Sequence, residues 1–202
     1  MERKYRYEYE YDVRYCYPNT NVLKNKLNIT DMDTLEEAER RITSLRTTEA
    51  MKKGIRGKFD FNHLKRIHKF LFGDIYDWAG KVRLVNISKG NQFCRVEYIE
   101  QQMNEIFDKL QEENYLQDIN SQRELAKKLA YYMGEINAIH PFREGNGRCQ
   151  RMFIQLLSSS VGYQLDFMKI SEEEMLEASA RSFDLDYGML EELIDKALSS
   201  SK

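Results

Sequence analysis

Hydrophobic residues recur at three- and four-residue spacing along most of this chain, and that spacing predicts amphipathic α-helices. Asp60 is expected to begin one helix, and another is expected from about Tyr98 to Glu113. Capping boxes are predicted at Thr34 with Glu37, Ser121 with Glu124 and Ser171 with Glu174. The apolar stripes are Leu35, Ala38, Ile42 and Leu45; Leu64, Ile67 and Leu71; Leu125, Leu129, Met133 and Ile136; Met152, Phe153, Leu156 and Leu157; and Leu190, Leu193, Ile194 and Leu198. The predicted fold class is therefore all-α.

One segment breaks the helical period. Residues 82–87 and 92–96 are short runs rich in β-forming side chains, and residues 88–91 between them contain the glycine that a tight turn needs. This pattern predicts a β-hairpin over about residues 82–96. Because a two-stranded hairpin is marginally stable alone, it must lean on the helices or act at the surface.

The N-terminal residues follow a third pattern. Tyr5, Tyr7, Tyr9 and Tyr11 alternate with mostly charged residues, which suits an edge strand or a loosely ordered arm. A turn is expected at residues 17–21. The chain is accordingly divided into an arm, residues 1–20, and a single helical domain, residues 21–202.

Composition narrows the class of protein. The 202 residues carry a formal net charge of −2, so the chain lacks the excess of basic residues that would indicate nucleic-acid binding. No apolar run reaches the roughly 18 residues of a membrane span, and the N-terminus lacks the apolar stretch of a signal peptide. Three widely spaced cysteines fit a reducing compartment and argue against a zinc site. A cytoplasmic location is predicted, and delivery into another cell stays open.

Several single residues invite a chemical interpretation but favour a structural one. His63 and His68 are five positions apart, a spacing that does not suit a pair of metal ligands on a helix. Cys149 is interpreted as a small buried residue rather than a reactive thiol. Trp78, the only tryptophan, is expected to pack in the core.

The chemistry is concentrated between His140 and Arg151, in the sequence HPFREGNGRCQR. Gly145, Asn146 and Gly147 precede a predicted helix whose free N–H groups and dipole favour phosphate, and the Asn146 amide is expected to donate there too. Glycines also let a ligand approach the backbone closely. These residues predict an anion site at a helix start.

Charged residues complete that site. Arg148 and Arg151 share a helix face, where a polyphosphate would relieve their repulsion and receive paired hydrogen bonds. Glu144 supplies the single carboxylate that Mg²⁺ uses alongside phosphate oxygens. His140, at the end of the preceding helix, is expected to be a general base whose protonated form the helix end favours. The simpler alternative is a turn with a Glu144–Arg148 ion pair.

This constellation resembles the signature of the Fic family, His-x-Phe-x-(Asp/Glu)-Gly-Asn-Gly-Arg-x-x-Arg. All eight specified positions are present: His140, Phe142, Glu144, Gly145, Asn146, Gly147, Arg148 and Arg151. Residues 74–80, the hairpin and residues 17–29 also resemble the family, so the likeness extends from about residue 15 onward. It implies a helical Fic fold with the hairpin as a flap over the active site.

The resemblance also implies an activity, transfer of AMP from ATP to a Tyr, Thr or Ser hydroxyl of a target protein. His140 would take the hydroxyl proton, Glu144 would hold magnesium, and the glycine loop with both arginines would hold the phosphates. The flap would bind an extended target segment by strand addition, with contacts from Lys89, Gly90 and Asn91. Because Gly147 keeps room for the β-phosphate, AMP transfer is favoured over the kinase activity of the related Doc toxins.

Other Fic-type chemistries stay open: kinase activity, a different nucleotide, phosphocholine transfer or removal of AMP. A catalytically silent module that only binds nucleotide or a partner is a further alternative, although it would not need the base His140.

Regulation is inferred from a missing motif. Many Fic proteins contain Ser/Thr-x-x-x-Glu-Gly/Asn, whose glutamate pairs with the second motif arginine. Only Glu113 and Glu144 precede Asn or Gly here, and the residues four positions before them are Lys109 and His140. We therefore expect the protein to be a toxin whose inhibitory glutamate is supplied by a separate small antitoxin. Residues 17–29, which resemble the entry segment of two-component Fic toxins, support this expectation. A chain trimmed of its own inhibitory helix, or a relative without that motif, stays open.

Overall fold

The computed structural model describes residues 13–89 and 91–200, without the side chain of Asn91. Helices dominate this part of the chain. The seven α-helices of the described residues are α1 (Met32–Lys53), α2 (Phe61–Phe72), α3 (Ile99–Glu112), α4 (Gln122–Ile139), α5 (Asn146–Ser160), α6 (Glu172–Phe183) and α7 (Gly188–Ala197). The predicted all-α class and the helix order are confirmed.

Helix starts agree only in part with the predicted capping boxes. Ser171 forms a complete box with Glu174 at the start of α6. Ser121 precedes α4 but makes no side-chain capping bond. The Thr34 prediction was wrong: Asp31 caps α1, and its Oδ1 accepts a 2.9 Å hydrogen bond from the Thr34 N–H. Asp31 is the N-cap residue because its carboxylate reaches the exposed N–H groups of the first helical turn.

The core is organised around α4, which packs against α3, α5, α6 and α7. Its apolar stripe is buried as predicted, with Leu125, Leu129, Met133 and Ile136 at most 2% exposed. Each such side chain contributes roughly 1.5–3 kcal/mol by leaving water. Because α4 ends at Ile139 and α5 begins at Asn146, this core fixes both ends of the signature loop.

The buried face of α1 differs from the predicted one. Leu45 is 74% exposed, whereas Glu39 and Thr43 are buried with Leu35 on a stripe of four-residue spacing. The reason is an electrostatic partner, because Glu39 and Thr43 contact the guanidinium of Arg148 on α5. A charged pair across two helices therefore decides which side of α1 faces inward.

The hairpin is much shorter than predicted. Its strands β1 (Ser88–Lys89) and β2 (Asn91–Gln92) are antiparallel, with Ser88 opposite Gln92, so most of residues 82–87 and 92–96 is not strand. The flanking backbone makes other contacts: the carbonyls of Val85 and Cys94 accept hydrogen bonds from Arg83, which is 1% exposed, and the Cys94 N–H donates to the Ala138 carbonyl.

Two further features were not foreseen. Strands β3 (Tyr163–Leu165) and β4 (Leu198–Ser200) form a second small antiparallel sheet. Near the N-terminus, Tyr15 and Cys16 are buried in the main core, and Cys16 bridges to Leu23 around the predicted turn. Residues 13–20 therefore pack as part of the domain. The predicted strand or arm at residues 5–11 lies outside the described residues.

Within residues 13–89 and 91–200, no helix is both long enough and apolar enough to cross a bilayer.

Candidate active site

The end of α4 holds His140 in a defined orientation. Its backbone is left-handed (φ 53°, ψ 63°), which turns the chain sharply out of the helix into the loop. The Asn137 carbonyl accepts a 3.0 Å hydrogen bond from Nδ1–H, and the Phe93 ring stacks on the imidazole with centroids 3.8 Å apart. The proton on Nδ1 leaves Nε2 as the nitrogen that can accept a proton.

The expectation that the helix end would favour protonated His140 was wrong. Burial, together with the smaller effects of the Arg83 and Lys89 charges, lowers the pKa of His140 to about 3, against the opposing hydrogen bond to Asn137. Desolvation outweighs the helix dipole because the side chain is almost completely enclosed. The imidazole is therefore neutral at physiological pH, as a proton acceptor must be.

Arg83 fastens the segment before the flap to the histidine. Its Nε donates to the His140 carbonyl at 2.8 Å, and its Nη2 donates to the carbonyls of Ile139 and Cys94. Nη1 donates to the Val85 carbonyl at 2.8 Å. One buried guanidinium thus connects both flanks of the flap to the backbone that carries the candidate base.

A ring stack supports the loop from below. The Phe142 ring, predicted as a core anchor, stacks on His68 with centroids 3.9 Å apart, and His68 also stacks on Phe72. His68 Nε2–H donates to the Glu144 carbonyl at 2.9 Å, while Nδ1 accepts from the Gly80 N–H. Both ring nitrogens of His68 are therefore engaged, and its role in holding the loop was missed because Glu144 is 76 residues away.

Gly145 and Asn146 shape the loop itself. Gly145 has φ +81°, and a Cβ there would lie 2.2 Å from the Phe72 ring, so only glycine fits. Asn146 Oδ1 accepts from the Phe142 N–H at 2.8 Å, and Nδ2 donates to the Phe142 carbonyl at 2.7 Å. The Asn146 side chain therefore braces the loop, and the second N–H of its amide is the donor left for the expected role toward phosphate. The backbone N–H groups of Asn146 and Gly147 are the first two of α5.

Three charges meet at the start of α5. Arg148 Nη2 donates to Glu39 Oε1 at 2.5 Å and lies 3.7 Å from Glu144 Oε1. Burial and the neighbouring Glu39 charge raise the pKa of Glu144, with Arg148 opposing. Burial alone would lower the pKa of Arg148, but the two carboxylates outweigh it and raise that pKa. The predicted Glu144–Arg148 pair is thus the longer of the two contacts.

Arg151 has the opposite environment. Within residues 13–89 and 91–200, no carboxylate forms an ion pair with it and no acceptor hydrogen-bonds to it. Burial and the charge of Arg148 lower the pKa of Arg151, and the charge of Glu172 opposes them without forming an ion pair. A partly buried cation with no direct anionic contact favours an incoming negative group.

Comparison with known proteins identifies this arrangement. The Fic/DOC family profile matches residues 58–158. The probable protein adenylyltransferase y4lH of Sinorhizobium fredii is 42% identical over 176 residues, which are 87% of this chain and 90% of that protein. The chain belongs to the Fic/DOC family. Protein adenylyltransferase VbhT of Bartonella schoenbuchensis is also 42% identical, over 91% of this chain but only 38% of its own length.

Solved Fic structures show the same fold. The N-terminal Fic domain of a VirB-translocated Bep effector from Bartonella quintana, with bound ADP, has a TM-score of 0.88 at 29% identity and covers 93% of this chain and 95% of its own. BepC from Bartonella tribocorum, with bound AMPPNP, has a TM-score of 0.86 at 26% identity and covers 93% of this chain and 97% of its own. The predictions of the Fic fold and of an enzyme of the protein adenylyltransferase class are confirmed.

The flap residues of this Fic domain are only partly described. Lys89 lies in β1, and its charge is among the causes that lower the pKa of His140, so its amine lies near the base. Gly90 lies outside the described residues, and of Asn91 only the backbone, in β2, is described. Phe93, which follows β2 and stacks on His140, was missed from sequence because its partner is distant.

The remaining chemical candidates have structural roles. Cys149 is 1% exposed, and burial raises the pKa of its thiol well above the usual value, so it is not a reactive thiolate. His63 is buried and hydrogen-bonds the Ile55 carbonyl through Nε2. Trp78 stacks on Tyr76 with ring centroids 4.4 Å apart. These contacts agree with the structural interpretations from sequence.

Buried neutral histidines predict acid sensitivity. Burial lowers the pKa of His68 to about 4 and that of His140 to about 3, below the unfolded value of about 6.5. Between these values the unfolded chain binds more protons, so this stability is present above pH 6.5 and is lost as pH falls through that range. From pH 7 to pH 5 we expect each histidine to lose about 2 kcal/mol of unfolding free energy.

Urea unfolding at both pH values measures this loss. Replacing His140 by alanine should remove its share of this loss, about 2 kcal/mol, and leave the contributions of His68 and His63, whose pKa burial also lowers. Equal stability at pH 7 and pH 5 would contradict the neutral, buried assignment of these rings.

Proposed function

We propose that this protein transfers AMP from ATP to a hydroxyl side chain of a target protein. The observation that carries the proposal is the juxtaposition of a neutral histidine, His140, with the glycine-bounded start of α5 and two arginines. The relatives named protein adenylyltransferases and the Bartonella structures with ADP and AMPPNP support it.

The contacts of the site residues suggest a role for each of them in the reaction. The unpaired N–H groups at the start of α5, around Asn146 and Gly147, would hold phosphate oxygens with help from the helix dipole. Arg148 and Arg151 would bind the remaining phosphates. His140 Nε2 would accept the target hydroxyl proton as its oxygen attacks the α-phosphorus and pyrophosphate leaves. The negative charge of the bound phosphates would favour the imidazolium and so raise the pKa of His140 from its low value.

Magnesium fits this site through one protein ligand. Within the described residues no cluster of three His, Cys, Asp or Glu side chains could hold a metal. Glu144, whose side chain is 27% exposed, presents the carboxylate that Mg²⁺ uses together with phosphate oxygens. When bound, the ion would neutralise phosphate charge.

The target would bind along the flap. Strands β1 and β2 are two residues long, and their outer backbone groups could pair with an extended segment, which needs no particular target sequence. Lys89, Gly90 and Asn91 are the proposed contact residues. Because Phe93 joins the flap to His140, such a segment would lie beside the base.

Isotope placement tests the reaction. The purified protein is incubated with a cell lysate, Mg²⁺ and ATP labelled on either the α- or the γ-phosphate. Label transferred to protein from the α-phosphate alone supports AMP transfer. Label from the γ-phosphate would identify a kinase, and no label from either would favour a binding module.

Two glycines separate fold from function. Gly147→Ala should fold normally, since its Cβ would meet only Arg151 Nη1 at 3.4 Å, but should weaken ADP binding at least about ten-fold by crowding the phosphate site. Gly145→Ala should instead lose about 3 kcal/mol of stability through its positive φ and the clash with Phe72. Urea unfolding and calorimetric titration measure both. Wild-type ADP affinity in Gly147→Ala would contradict phosphate binding at this helix start.

Regulation by a separate antitoxin is proposed as well. Arg151, which forms no ion pair in the described part of the chain although the charge of Glu172 acts on it, would receive a glutamate from the second protein and so no longer bind phosphate. Co-expression with the product of the neighbouring gene should give a stable, inactive complex. Full activity that the neighbouring product leaves unchanged would contradict this proposal. We propose cytoplasmic action, in the producing cell or a recipient cell.

A further inference from the structure

A buried carboxylate on α1 holds one of the two signature arginines. Glu39 is 8% exposed and lies 109 residues before Arg148 in the chain. Its Oε1 accepts from Arg148 Nη2, and its Oε2 accepts from the Tyr76 hydroxyl at 2.5 Å. Thr43, one turn further along α1, accepts from Arg148 Nη1 at 3.1 Å. Arg148 is thus fixed by contacts outside the signature loop.

These contacts orient the guanidinium of Arg148 without using all of its N–H donors. An arginine side chain has five N–H donors in one plane, and α1 receives one from each terminal nitrogen. Three donors remain for phosphate oxygens. The Phe72 ring lies 4.8 Å from the guanidinium carbon and restricts the plane further. The geometry is that of a pre-oriented phosphate ligand.

Glu39 also determines what Glu144 does. Glu144 is four residues before Arg148 on the same side, and its Oε1 is 3.7 Å from Nη2. Without the competing charge of Glu39, this 3.7 Å pair would be expected to shorten into a direct hydrogen-bonded ion pair. That pair would occupy the carboxylate needed for magnesium.

We propose that Glu39 is a positioning residue, which orients Arg148 toward the phosphates and keeps Glu144 available to the metal. This role rests on the proposed function, since it requires nucleotide at the start of α5. Arg151, which has no such carboxylate in the described residues, would be oriented by the nucleotide itself.

Calorimetric titration of ADP tests this role in the full chain, with Mg²⁺ and with a chelator. Glu39→Gln should bind ADP about ten-fold more weakly with Mg²⁺, and the gain in affinity that Mg²⁺ gives the wild type should nearly disappear. Glu37→Gln is the matched control, because Glu37 is a half-exposed glutamate of α1 that pairs only with Arg41 among the described residues. It should bind like the wild type.

Each other outcome is decisive. Unchanged or tighter ADP binding by Glu39→Gln would overturn the role, and a loss that is equal with and without Mg²⁺ would overturn the part of it that keeps Glu144 available to the metal. No binding by the wild type would overturn the proposed function itself. If Glu39→Gln does not fold, Thr43→Val decides: weaker ADP binding supports the positioning of Arg148 from α1, and unchanged binding contradicts it.

Discussion

Replacing His140 by alanine should reduce AMP transfer by about 10²–10⁴-fold while ADP affinity stays within about two-fold of the wild type. The imidazole lies at the end of α4, whereas the proposed phosphate ligands belong to the loop and α5. Loss of the base should therefore affect the chemical step and not nucleotide binding. Initial rates of label transfer from the α-phosphate and calorimetric titration of ADP measure the two effects separately.

His63→Gln is the control for this variant. His63 is also buried, but its Nε2 hydrogen-bonds the Ile55 carbonyl and its ring contacts Phe59 and Phe153. Its replacement should change the rate per folded molecule by less than about two-fold. A His140→Ala protein that labels its targets at the wild-type rate would remove His140 from the mechanism.

Replacing Arg83 by methionine should cost about 4 kcal/mol of unfolding free energy, the largest stability effect expected here. The guanidinium donates to the carbonyls of Val85, Cys94, Ile139 and His140. Methionine fills similar space but donates nothing, so buried acceptors lose their partners. Urea unfolding of the folded fraction measures the cost, and the flap should lose its fixed relation to His140.

Arg95→Met is the matched control. Arg95 lies in the same segment, its side chain is 62% exposed, and it pairs with Glu97 at 2.9 Å. We expect its replacement to change stability by less than about 0.5 kcal/mol. Equal effects of the two substitutions would show that Arg83 does not have the bridging role assigned to it.

The signature loop was predictable because its parts are local. His140, Glu144 and Arg148 lie within nine positions, and a helix end, a glycine turn and a helix start bring them together through short-range geometry alone. The helices themselves followed from hydrophobic spacing. Asn146 was the exception, since nothing in the sequence shows that its amide closes onto Phe142.

The supporting residues were missed because their partners are remote. Glu39, His68 and Arg83 contact the loop across 109, 76 and 57 residues. The sequence contained one indication of Glu39. Leu35, Glu39 and Thr43 recur at four-residue spacing and so share a face of α1, which is an alternative to the apolar face chosen from sequence. That Glu39 pairs with Arg148 cannot be predicted from the sequence unless the fold is known.

The pKa of His140 shows a different limit. The helix end that precedes it was visible, but the enclosure by Phe93 and neighbouring groups was not. Desolvation depends on the whole environment of a side chain, so its dominance over the helix dipole could be known only from the structure.

The central claim is that the start of α5 binds a triphosphate within reach of His140. A crystal structure of the full chain with Mg²⁺ and a non-hydrolysable ATP analogue tests it most directly. We predict phosphate oxygens on the N–H groups around Gly147 and on Arg148, with the α-phosphorus facing His140 Nε2. Nucleotide bound elsewhere, or with its α-phosphorus turned away from His140, would contradict the account.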